Sequence, residues 1–449
     1  MNKLLCTVFL LLVNCNSVWA QEIPYRDSEF GCTLAVDARR YVAEFRIDVK
    51  SFGGLELCNS NVETKKLFND IQILEQGRFA NNTANKFIRG FVDGNNYYGW
   101  LKNETRGIER GNDIPYATAY NSGGYFTMQD GWAKLSTLGR VGTFVHEARH
   151  TAGFRHIGCN QGPYQGSSVA GCDTNYSYGG SHAVEMEYYA RVSVQGANFH
   201  PVYKKMARLM AIARSNVFFN TPIIQTREAV LALTLDRKEA HLFDNGNWYK
   251  REVPEATGRL KRTSFGGVLF DGLNALAIEL YQNSGFTDVV NDTYSYYKLL
   301  AEKNETIKDF EEFDAGIKRY AVKITNSNKL AAYNFPSGVW GAEQAIPFNV
   351  ARTSTAILGK TQSGLYIVSA TGEVFNYQPQ TQRLVSVSAN WNFENKEVIS
   401  YKGQNLVLKN NGQIQITSGN VLIPWAETNN LYSGLIATPV YDGFEVVKE

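Results

Sequence analysis

Three histidines and a glutamate fall within eleven residues of this 449-residue chain, at His146, Glu147, His150 and His156. On a helix, positions four apart differ by about 40° around the axis, so His146 and His150 project from one face and can share an ion. Glu147, one step round, is placed to reach a water on that ion, as a general base requires. Gly153 stands three residues past His150, where a left-handed residue stops a helix and turns the chain back. That turn carries His156 to the open side. The result is three neutral imidazoles with a fourth position for water, the arrangement of a catalytic zinc site. Only six histidines occur in the chain, and half of them lie in this stretch. The alternative source of the third ligand is a carboxylate from a later helix, Glu185 or Glu187. His182 is expected at a helix N-terminus, exposed to water.

The elements that must position these residues follow from periodicity. Between 131 and 153, Leu135, Leu138, Val141, Val145, Ala148 and Ala152 recur at three-to-four spacing, which predicts one long amphipathic helix. Val62, Leu67, Phe68, Ile71 and Leu74 predict another over 61–77, and further helices are expected over 181–194 and 201–216. Two short extended runs, 116–120 and 125–128, flank Asn121-Ser122-Gly123-Gly124 and read as a hairpin. The run 124–128 is the candidate edge strand to which a peptide could add. The loop over 158–180 holds Cys159, Cys172, Tyr164, Tyr176 and Tyr178. It reads as a stapled wall of the cleft, with Tyr178 the candidate hydrogen-bond donor to a developing oxyanion. Arg149 is expected to pair with a carboxylate such as Asp173.

After about residue 221 helical periodicity gives way to strand-like runs. Ala240-His241-Leu242-Phe243 resembles Leu330-Ala331-Ala332-Tyr333, and related units surround Phe375 and Gln415, at intervals of 90, 42 and 40 residues. If the first interval hides a degenerate copy, placed around Phe286 to Leu300, the period is that of a propeller blade and five blades fill this half. A pair of β-sandwiches is the alternative. Trp248, Trp340, Trp391 and Trp425 read as packing residues, and no second catalytic constellation appears in this half.

The first twenty residues read as a signal peptide, cleaved after Ala20, with an apolar run too short to span a bilayer. That predicts a secreted or periplasmic protein with no transmembrane segment. Removing the leader takes Cys6 and Cys15 and leaves Cys32, Cys58, Cys159 and Cys172. Four cysteines allow three pairings; Cys32–Cys58 and Cys159–Cys172 close the shortest loops. The composition, 44% apolar and 20% charged, is that of a globular protein, and a net charge of +2 shows no footprint for nucleic acid.

The string H-E-x-x-H-x-x-G-x-x-H, from His146 to His156, resembles the zinc signature of the metzincin metallopeptidases. The resemblance covers eleven residues. It implies an α+β zincin-like domain over 21–222, ahead of a mainly β domain over 223–449. It also implies that His146, His150 and His156 bind Zn2+ and that Glu147 is the base. That family places a Met in a tight turn beneath the metal, whereas the nearest Met here, Met186, sits in a predicted helix. The longer string through Cys159 and Cys172-Asp173 to Tyr178-Gly179 also resembles secreted bacterial proteins carrying H-E-A-R-H. The expectation is a secreted zinc metallopeptidase acting on peptide or protein substrates. The rival is a secreted adhesion or recognition protein with structural zinc.

Overall fold

The computed structural model describes residues 21–441 apart from 81–84, 113, 115–116, 163, 168–169, 222, 224–225, 254–257, 264–265, 273–274, 279–285, 289–306, 316–317, 335–338 and 361–363. The expected leader and its two cysteines lie outside them. The chain is mostly β-sheet, preceded by a helical part.

The helical part contains α1 (Ala35–Phe45), α2 (Glu63–Gln76), α3 (Tyr97–Glu104), α4 (Asp130–Ala133), α5 (Thr137–Thr151), α6 (Ser181–Gln195) and α7 (Pro201–Val217). The long helix expected over 131–153 is thus two. Ser136 takes an extended conformation and its hydroxyl accepts the Gly139 amide at 3.2 Å, so it caps a new helix rather than continuing the old one. Leu138, Val141, Phe144, Val145 and Ala148 of α5 are fully buried, against α2, α3 and α6. Arg140, also fully buried, joins Asp70 of α2 at 2.9 Å to Asp27 of the N-terminal segment at 2.7 Å. Helices α1 and α3 escaped the sequence reading.

A three-stranded sheet packs beside α5, made of β1 (Gly107–Arg110), β2 (Ala119–Ser122) and β3 (Tyr125–Met128) in the order β1-β3-β2. The hairpin is present, but the expected edge strand is not at the edge. The strand β3 pairs with both neighbours, parallel to β1 and antiparallel to β2, and its Phe126 and Met128 are wholly buried. The outer strands are β1 and β2, of which β2 lies against α5.

Among the described residues the second half forms five antiparallel sheets. In the first, the strands Tyr432–Tyr441, Thr226–Thr234, Glu239–Asp244 and Asn247–Glu252 lie in that order. The second runs Arg259–Thr263, Gly266–Phe270, Ala275–Ile278, Phe286–Asp288. The third runs Ile307–Ala315, Lys318–Thr325, Lys329–Asn334, Val339–Trp340, with Gln344–Ala345 also on its third strand. The fourth is Val350–Ser354, Leu365–Ser369, Glu373–Gln378, Arg383–Asn390, and the fifth Asn395–Tyr401, Gln404–Lys409, Ile414–Ser418, Val421–Pro424. The first-named strand of each sheet touches that of the next, and the fifth touches the first again. Burial follows: the second strand of sheet four is buried throughout, whereas its fourth strand is largely exposed.

The sequence repeats land at equivalent places. Phe243, Tyr333, Phe375 and Gln415 all lie on the third strand of their sheets. The missing copy is therefore Ala275–Ile278, the third strand of sheet two. Of the segment expected to hold it, Phe286–Asp288 is instead a fourth strand and 289–300 lies outside the described residues.

Candidate metal centre

Helix α5 delivers two imidazoles from one face, with Nε2 of His146 and Nε2 of His150 3.2 Å apart. Gly153, at φ +88°, then reverses the chain, and Nε2 of His156 arrives 3.0 Å from Nε2 of His146. A side chain at 153 would meet open space, so what the position demands is the left-handed backbone alone. Gly153→Val is expected to cost about 1–2 kcal/mol and to misplace the third imidazole. The protein would be recovered with substoichiometric zinc by elemental analysis. Gly153→Asn, which tolerates this conformation, would keep its zinc.

The other ring nitrogen of each histidine is held. His150 Nδ1 meets the Phe154 carbonyl, with Ser181 Oγ 3.0 Å away. His146 Nδ1 meets Glu185 Oε2 at 3.2 Å, and His156 Nδ1 meets Asp173 Oδ1 at 3.2 Å. A carbonyl or carboxylate only accepts, so each Nδ1 carries the proton and each Nε2 presents a lone pair. Lone pairs facing each other at 3.0–3.2 Å repel unless a cation lies between them. Tetrahedral zinc with bonds of 2.0–2.1 Å would set its nitrogens about 3.3 Å apart. The donor set fits.

The supports of these supports come from far along the chain. Glu185 Oε1 accepts from the Tyr189 hydroxyl at 2.9 Å and pairs with Arg214 of α7 at 2.8 Å. Tyr189 fits there because position 142 of α5 is glycine; a Cβ would come within 1.8 Å of its hydroxyl. Asp173 Oδ2 accepts the amides of His182 and Ala183 at 3.0 and 3.2 Å, capping α6, and its own backbone is bridged to Phe219 beyond α7. Burial is the main cost at Asp173 and Glu185. It is overcome at Asp173 by the His156 hydrogen bond and at Glu185 by Arg214 and His146, so both carboxylates stay below their ordinary range. Burial pushes the His146 pKa down; at His150 burial and the adjacent imidazoles bring it to about 3. Neutral imidazoles are the form that binds metal.

Glu147 is buried, and its Oε2 has no hydrogen-bond partner among the described residues. Burial, then the charge of Glu185, raises its pKa to about 8. Its carbonyl is gripped by Asn121 of β2, whose amide also donates to Thr151 at 2.8 Å, so the edge strand is tied to α5.

Several expectations change. Glu185 sits behind His146, on the ring nitrogen away from the other imidazoles, and Glu187 turns elsewhere, accepting the amides of Arg89, Gly90 and Phe91 and pairing with Arg191. His182 is not exposed. It is 5% accessible, stacked between His156 and Phe218, with centroids at 4.4 and 4.0 Å, and its Nε2 donates to Gly171 O at 3.1 Å. His146, His156 and His182 also form a group compact enough to hold an ion, and the His182 Nδ1 has no hydrogen-bond partner among the described residues, but its ring lies stacked on that of His156, 20° from parallel, so the in-plane lone pairs of the two point side by side rather than at a common point. The Nε2 set of His146, His150 and His156 is therefore the better cradle. Arg149 donates to Gly179 O at 2.7 Å and lies 3.8 Å over the Phe154 ring, while Asp173 is taken by His156. Tyr178 is half exposed with its ring edge-on to Phe154 at 5.1 Å. Met186 is buried within α6. Both expected disulfides are formed, and Cys159–Cys172 staples the loop that carries Asp173.

No family model matches the chain, and no curated protein does. Solved structures resembling part of it include YCF48 bound to D1 peptide, 16% identical over 40% of this chain and 58% of that one, with a TM-score of 0.26. Others are apo AztD from Citrobacter koseri, 10% identical over 48% and 61%, TM-score 0.23, and the Dos1 propeller, 11% identical over 45% and 57%, TM-score 0.23. The chain thus spans about three fifths of the length of these structures. Likeness this weak says nothing of activity.

Proposed function

We propose that the protein is a secreted zinc-dependent peptide hydrolase, with a zincin-like domain over 21–222 and a five-bladed propeller over 223–449. The observation that carries the activity is the set of three converging imidazole Nε2 atoms, each fixed from behind by an acceptor on Nδ1. His146, His150 and His156 would hold the ion. Zinc bound there supplies a polarised carbonyl and a water acidic enough to ionise near neutrality. Glu147 takes the proton of the attacking water and hands it to the leaving amine. Its unpartnered oxygen is free for that task. Asn121 keeps the outer edge of β2 alongside α5, where an extended peptide adds by backbone hydrogen bonds. Tyr178 remains a proposed donor to the oxyanion. Two disulfides fit an oxidising compartment, and among the described residues no helix is long and apolar enough to cross a membrane. Five sheets whose first strands touch in cyclic order support the propeller.

The test is metal removal. Dialysis against a chelator, verified by elemental analysis, is expected to abolish cleavage of a mixed peptide library, and one equivalent of zinc to restore it where magnesium does not. Cleavage that persists in verified metal-free protein overturns the zinc-dependent mechanism.

A further inference from the structure

The first strands of the five sheets begin around a common mouth, and four of them begin irregularly. Register slips fall between Ile307 and Asp309, Val350 and Arg352, Asn395 and Glu397, and Tyr432 and Gly434. Each is a bulge at the second residue of its strand, a device that re-aims side chains at a rim. The residues just past the bulges are Asp309, Arg352, Glu397 and Gly434, and Arg259 opens the remaining strand.

Around the ring the charges therefore alternate. Arg259 pairs with Asp309 at 2.8 Å and Arg352 with Glu397 at 2.5 Å, while Arg259 and Glu397 stand 3.7 Å apart across Gly434. These four cancel. One further cation, the bulge residue Lys396, stands in the ring with no ion pair among the described residues, and Arg237, which donates to the Gly258 carbonyl at 2.6 Å, lines the same mouth. Beside Gly434 lies a cavity of about 370 Å³, bounded by Arg237, Arg259, Arg352, Lys396, Glu397 and Phe393. Arg352 Nε is buried there without an acceptor, and Phe393, 49% exposed, gives the rim an apolar wall. The volume is in the range of small-molecule sites.

We infer that this mouth binds a small organic anion, whose carboxylate or phosphate group is received by Arg352 and Lys396 while its body packs on Phe393. Guanidinium and ammonium groups in a partly dry cavity favour an oxyanion strongly over a neutral ligand. The site is separate in sequence from the metal centre and does not depend on hydrolysis.

Calorimetric titration of the protein with glucuronate, glucose 6-phosphate and glucose tests this. Either anion is expected to bind with a dissociation constant below about 1 mM, and glucose at least tenfold more weakly. The better of the two anions identifies the head group. Lys396→Glu is expected to weaken binding about tenfold or more. Ala351→Trp, at an exposed lining position, would block the mouth with every charge in place; both variants should melt with the wild type. Failure of both anions to bind at about 10 mM, equal binding of glucose, or unaltered binding by both folded variants overturns the inference.

Discussion

Glu147→Gln is expected to retain one zinc per chain and to lose turnover by about 10²–10⁴-fold, the contribution of a positioned general base. The substitution isolates proton transfer. Its side-chain oxygen makes no hydrogen bond to another described residue, and the contact that ties β2 to α5 uses the Glu147 carbonyl, which the change leaves alone. The carboxamide has the size of the acid and resembles its protonated form, which burial and Glu185 favour up to a pKa of about 8 in the metal-free protein. The melting temperature without metal should therefore hold or rise. Elemental analysis and peptide cleavage on the same sample decide the matter. Normal turnover by Glu147→Gln would remove the proposed base.

His156→Ala is expected to lose zinc and turnover together. Structural zinc sites with four ligands bind with roughly 10–16 kcal/mol, or about 3 kcal/mol per ligand, so one imidazole corresponds to about two powers of ten in affinity. Asp173 would lose the His156 ring but keep the amides of His182 and Ala183, which limits the damage to folding. Competition with a chromophoric chelator gives the affinity. Undiminished zinc in this variant would return the third ligand to a carboxylate, against the placement of Glu185 behind His146.

The ligand cluster was legible because its geometry is local. His146 and His150 need only a helix, and Gly153 needs only its own freedom to turn, so eleven residues bring three imidazoles together without help from the rest. The residues that orient the imidazoles were not legible. Asp173 stands 17 positions from His156 and Glu185 39 from His146, and no periodicity announces such pairs. The same limit governed Arg149, which a charge rule would send to Asp173 and which packing sends to Phe154. His182 looked exposed because polar residues commonly open helices, yet Phe218 from beyond α7 covers it. In the β half, the units around Phe243, Tyr333, Phe375 and Gln415 betrayed four of the sheets, and sheet two, whose third strand is Ala275–Ile278, went unread. The break at Ser136 and the centrality of β3 are tertiary choices rather than local ones.

Residues 432–441 pair with 226–234, so the first sheet is completed by strands about two hundred positions apart. During synthesis Thr226–Thr234 emerges first and waits, one flank unclaimed, for a partner about two hundred residues later. A nascent chain halted anywhere between them carries a ready template for intermolecular pairing. Any holding factor the nascent chain meets has most to gain by shielding that one waiting flank.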